Sequence, residues 1–72
     1  MNRRPITSSV IAEIGYDRQT SIMELKFRTG RVYRYFMIPA AVVEGLLESE
    51  SIGRHFNREI RDRYPNQEVI EE

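Results

Sequence analysis

The sequence predicts an α+β fold: a three-stranded antiparallel β-meander followed by two helices packed on one face of it. Three observations carry this expectation. Up to Met37, apolar and polar side chains alternate in runs of strand length, separated by polar breaks. Pro39 then opens a stretch whose apolar period is that of a helix, at the one place where a missing backbone N–H costs nothing. A second helical stretch follows Ser51 and stops at Pro65, which cannot continue the helical hydrogen-bond ladder.

Taken in order, residues 1–7 read as a flexible arm and residues 8–66 as a single domain. The strands are expected at 8–16, 21–28 and 31–37, the helices at 39–48 and 51–64, and an acidic tail at 67–72. Side-chain alternation sets the register. A three-residue loop Arg28-Thr29-Gly30, with Gly30 left-handed, pairs Leu25 with Tyr33 and Met23 with Tyr35, whereas a two-residue turn would bury Arg34. A four-residue loop over 17–20 sets Ile14 beside Met23 and Ala12 beside Leu25. The covered face then holds Val10, Ala12, Ile14, Met23, Leu25, Phe27, Tyr33, Tyr35 and Met37. The open face mixes Ile11, Ile22, Val32 and Phe36 with Glu13, Glu24, Lys26 and Arg34, as a solvated antiparallel face does.

The first helix carries an apolar stripe of Val42, Val43, Leu46 and Leu47, interrupted by Gly45. On the second, Ile52, Gly53, Phe56, Ile60 and Tyr64 share an arc with Asn57 at its edge. Arg54, Arg58 and Arg61 form the adjoining stripe.

With 72 residues and no cysteine, the chain has neither a disulfide framework nor a thiolate metal site, and the single His55 cannot hold a metal alone. Its four glycines are isolated, so no phosphate-cradling loop is present. Thr7-Ser8-Ser9 offers hydroxyls but no charge-relay spacing, and no cofactor motif occurs. A non-enzyme without cofactor or metal is expected. The arginines at the start lack an apolar stretch behind them, and the longest apolar run, 36–43, is too short to span a bilayer, so a cytoplasmic chain is the simplest expectation. Net charge is zero but unevenly spread, with +4 over residues 1–38 and −4 over 39–72.

Several segments together resemble the KTSC domain family. They are Ser8-Ser9-Val10-Ile11-Ala12-Glu13-Ile14-Gly15-Tyr16-Asp17, the hairpin Leu25-x-Phe27-x-x-Gly30, Tyr33-x-Tyr35, Ile38-Pro39 and Ser51-x-Gly53-x-x-Phe56-Asn57-x-x-Ile60. The resemblance implies a small module of the kind found alone in bacteria and at the C-terminus of some lysyl-tRNA synthetases. It implies no established activity, and RNA binding only by that attachment.

Two functional readings follow. In the first, Arg54, Arg58 and Arg61 neutralise RNA phosphates, while Lys26, Arg34 and Phe36 offer a second surface where a base could stack. In the second, Ile11, Ile22, Val32 and Phe36 of the open face meet a partner protein or a second copy. Tyr33 and Tyr35 are either core tyrosines with hydroxyls at the rim or stacking platforms. Gly53, Phe56, Asn57 and Ile60 are read as structural, with Asn57 tying the second helix to backbone near Ile38-Pro39 and Gly53 approaching the same place. Asp17 and Glu24 read as ordinary turn and strand acids.

Overall fold

The computed structural model describes residues 1–70. It contains β1 (Arg4–Pro5), β2 (Ile11–Asp17), β3 (Ile22–Phe27), β4 (Val32–Tyr35), α1 (Ala40–Glu48), α2 (Ile52–Glu59) and β5 (Asn66–Val69). All strands are antiparallel neighbours in one sheet whose spatial order is the chain order. Both helices are inserted between β4 and β5. The expected α+β class, central meander and helix pair are present, but among the described residues the sheet has five strands rather than three.

The two extra strands come from segments too short or too polar to signal one. Arg4 and Pro5 pair with Ile14 and Glu13, so the expected arm is the sheet's first edge. Ile6 packs against the core, and its N–H donates to the Ala12 carbonyl at 3.1 Å. At the other edge, Asn66–Val69 pairs with Tyr35–Val32, placing the first half of the expected acidic tail in the sheet. Glu71 and Glu72 lie outside the described residues.

The β3–β4 hairpin has the expected register, Leu25 opposite Tyr33 and Met23 opposite Tyr35, with Gly30 left-handed at φ 96°. The β2–β3 pair is shifted by two: Ile14 faces Leu25 and Tyr16 faces Met23. Asp17 accepts from the Gln19 N–H at 2.9 Å, and Ser21 takes the left-handed conformation, so the loop falls on 18–21. An even shift preserves the faces. A bulge between Ile11 and Glu13 does not. It turns Ile11 inward, where it is fully buried, and leaves Val10 more than a third exposed, reversing the expectation for both.

The core lies between the sheet and the helices. Ile11, Ile14, Met23, Leu25 and Tyr35 meet Ile38, Val43, Leu46, Phe56 and Ile60 there. Tyr35 meets Phe56 edge-to-face with ring centroids 5.4 Å apart, and Phe27 meets Phe56 at 5.5 Å. Met37, expected on this face, is instead exposed, with φ 62°. That left-handed residue ends the strand and turns the chain so that Ile38 is buried completely.

α1 starts after Pro39, and Ser51 caps α2 by accepting from the Arg54 N–H at 3.4 Å. α2 ends at Glu59, well before Pro65. Ile60 leaves the helix at φ −122° while remaining buried. The following turn brings the Pro65 carbonyl within 2.9 Å of the Phe36 N–H, and that contact aligns β5 with β4. No helix of the protein is long and apolar enough to cross a membrane among the described residues.

Candidate functional site

The open sheet face is held by ions rather than presented as an apolar patch. Glu24, only 4% exposed, accepts from Arg3 Nη1 at Oε2 and from Arg34 Nε at Oε1, both at 2.8 Å. Arg3 Nε also reaches Glu13 Oε1 at 3.0 Å. Strand alternation explains the cluster: Glu24 pairs with Gly15 on one side and Arg34 on the other. A Cβ built on Gly15 would stand 2.6 Å from the Asn2 carbonyl oxygen. The absent side chain therefore lets the first residues cross the face and deliver Arg3 to the carboxylate. Glu24 is thus a buried linchpin rather than an ordinary strand acid, and Arg34 is committed to it.

The apolar patch expected on that face does not form. Ile11 is in the core, and Val32 is 2% exposed with Val69 paired beside it. Ile22 and Phe36 are half-buried, as is Lys26, which is flanked in the sheet by Glu13 and Val32. Arg28 is directed to the first residues, donating to the Ser8 carbonyl at 3.0 Å and the Ile6 carbonyl at 3.4 Å.

On the opposite face a cleft of about 490 Å³ opens beside α2. Phe27, Tyr33, Tyr35 and Phe56 supply its aromatic wall, and Asn57, Arg61, Asp62 and Asn66 its polar side. Tyr33 stands 5.8 Å from Phe27, edge-to-face, and 6.5 Å from Tyr35, tilted by 38°. Neither tyrosine hydroxyl has a hydrogen-bond partner among the described residues, and no buried side-chain polar atom there lacks one, so both hydroxyls reach the cleft surface. The Tyr35 phenol is pushed above its ordinary 10.0 by burial first and by Tyr33 next, against the opposing charge of Arg61, with Asp62 adding to the rise.

Arg61 and Asp62 reach this cleft because α2 ends at Glu59. Arg61 therefore leaves the helical stripe expected with Arg54 and Arg58; its N–H bonds back to the Phe56 carbonyl at 3.0 Å. Its guanidinium makes a long 3.5 Å contact with the Asn57 amide oxygen. Asn57 is exposed and does not tie the helix to Ile38: the Ile38 carbonyl accepts from the Tyr16 hydroxyl instead. Gly53 is buried, but against Val10 rather than Ile38-Pro39; a Cβ there would lie 2.7 Å from Val10 Cγ2. Ile60 is a core residue.

Arg54 and Arg58 are exposed and line a shallow depression with Ser49, Glu50, Ser51 and His55. Arg58 contacts the neighbouring Glu59 at 3.2 Å. These two and Arg61 lie on the helix side of the sheet, whereas Lys26, Arg34 and the Glu24 cluster lie on the other. The two expected cationic sets therefore do not merge into one groove.

The sequence matches the KTSC domain family over residues 7–64. It is 41% identical over 64 residues to an uncharacterized protein of Stutzerimonas stutzeri, covering 89% of this chain and 90% of that one. It is 38% identical over 56 residues to a lysine–tRNA ligase of Nostoc punctiforme, a stretch that is 78% of this chain but 10% of the ligase. The crystal structure of a KTSC domain protein from Yersinia pestis superposes with a TM-score of 0.91 at 29% identity, covering 94% of this chain and 96% of that one.

Proposed function

The chain belongs to the KTSC domain family, and on that footing we propose that it is a small non-catalytic module that binds single-stranded RNA along the α2 side. One observation carries the reading: an aromatic cleft lined by Tyr33 and Tyr35 is edged by Arg61, and the exposed Arg54 and Arg58 lie on the same helix side. Aromatic rings take unstacked bases, at about 1–3 kcal/mol per base, and arginine forks take phosphate oxygens. That some lysine–tRNA ligases carry a similar segment adds support from an RNA-handling enzyme.

In this reading Arg54 and Arg58 are again assigned the phosphates, Arg61 turns to the cleft, and the base platform moves. Lys26, Arg34 and Phe36 drop out of this surface because they belong to the far side of the sheet, and the half-buried Tyr33 replaces Phe36 as the ring, with the buried Tyr35 behind it. A protein-interaction or homodimerisation surface on the open sheet face keeps only Ile22 and Phe36 of its four apolar contacts.

A titration with tRNA and with short single-stranded RNA, followed by amide NMR at two salt concentrations, tests the reading. Shifts should map to Tyr33, Tyr35 and residues 54–62. Absence of any shift there at millimolar RNA would overturn it.

A further inference from the structure

Resting on that RNA-binding reading, we propose that the cleft selects guanine, with the Asp62 carboxylate accepting from the guanine Watson–Crick edge and the Arg61 guanidinium donating to its O6 and N7 side. The polar wall carries both signs side by side: Arg61 and Asp62 are adjacent in the turn after α2 and both line the cleft. Asp62 is exposed and makes no ion pair or hydrogen bond among the described residues, so its acceptors are available. Both residues line the cleft together with the half-buried rings of Phe27 and Tyr33.

Base chemistry then decides among occupants. Guanine presents two adjacent donors, N1–H and N2–H, which one carboxylate accepts together, while O6 and N7 suit an arginine fork. Adenine and cytosine each place a ring-nitrogen acceptor against the carboxylate, an uncompensated repulsion. Uracil offers one N–H flanked by two carbonyl oxygens. Asn57 and Asn66, whose amides both donate and accept, suit any base and do not discriminate.

The test is a fluorescence-anisotropy titration of the full chain and of Asp62→Asn with four pentauridylates carrying G, A, C or U at the centre, beside GMP and AMP. Asp62 is exposed, so the variant should keep its fold, checked by amide NMR. The expected result is a preference for the G-containing strand of roughly tenfold or more. Asp62→Asn should abolish the preference while binding to the all-uridine strand persists. Equal binding of all four strands overturns the guanine assignment and leaves the RNA reading standing. Binding of GMP over AMP with no strand bound keeps the assignment and overturns RNA as its source. Binding of nothing overturns both.

Discussion

The Tyr16 hydroxyl donates to the backbone carbonyl of Ile38. The bond links β2 to the segment where the chain leaves β4 and enters α1, across 22 positions of sequence. It satisfies the carbonyl of a fully buried residue just before Pro39, which has no N–H of its own to offer. Tyr16→Phe should therefore cost about 1–2 kcal/mol, because the Ile38 carbonyl loses its donor while the ring packing stays. Denaturant unfolding of the two proteins measures it, and equal midpoints would show that the bond contributes nothing.

Glu24→Ala should be far more damaging than Arg34→Ala. Glu24 is the shared acceptor of two guanidinium groups and is almost fully buried, whereas the Arg34 side chain is 44% exposed. Removing the carboxylate takes the shared buried acceptor from both guanidinium groups, at about 3 kcal/mol; removing Arg34 should cost about 1 kcal/mol. Thermal unfolding ranks the two variants, and a reversed order would contradict the description of the cluster.

Gly15→Ala tests how the first residues are held down. The new methyl would collide with a backbone carbonyl, not with a yielding side chain. The segment should lift, with hydrogen exchange of the Ile6 amide accelerating strongly and stability falling by about 1–3 kcal/mol. Unchanged protection of Ile6 would refute the close approach.

Alkaline pH should weaken the fold through Tyr35. Burial raises the phenol above its ordinary 10.0, so the folded chain holds that proton more tightly than the unfolded chain does. The contribution is complete below pH 10.0 and is lost as pH climbs through the folded value. Denaturant midpoints recorded upward from neutral pH should fall less steeply for Tyr35→Phe; parallel curves would exclude this source.

If RNA binds, Arg54→Gln and Arg58→Gln should each lower the dependence of log affinity on log salt by about 0.7, the value for one phosphate contact on a single strand. Both side chains are exposed, so stability should be unaffected. Salt titrations of the native chain and the two variants decide it, and unchanged slopes would remove these residues from the interface.

The β3–β4 hairpin was legible because Gly30 marks its turn and only one register gathers Leu25, Tyr33, Met23 and Tyr35 on one side. The tyrosine-bearing face was legible for the same reason. The β2–β3 loop was not, because Ser21 adopts a left-handed conformation without being Gly or Asn, and the turn is fixed by the Asp17 carboxylate. The inward turn of Ile11 needed a bulge that alternation cannot announce. The edge strands escaped because Arg4–Pro5 is two residues long and Asn66–Val69 is mostly polar, so neither shows a pattern of its own. The cleft was half legible. Its tyrosines, Phe56, Asn57 and Arg61 stand out in the sequence, but Asp62 falls in a stretch expected to continue as helix to 64. Only the early stop at Glu59 brings it round.

The outer strands also decide how copies of this domain behave when crowded. Each border of the sheet is brief: two residues with a proline at one side, and Asn66-Gln67-Glu68-Val69 at the other. A proline offers no donor to an incoming chain, and the Glu68 charge repels its counterpart in a like neighbour. Growth of a continuous ribbon from molecule to molecule is disfavoured at both rims, so the domain can be concentrated with little tendency to aggregate through them.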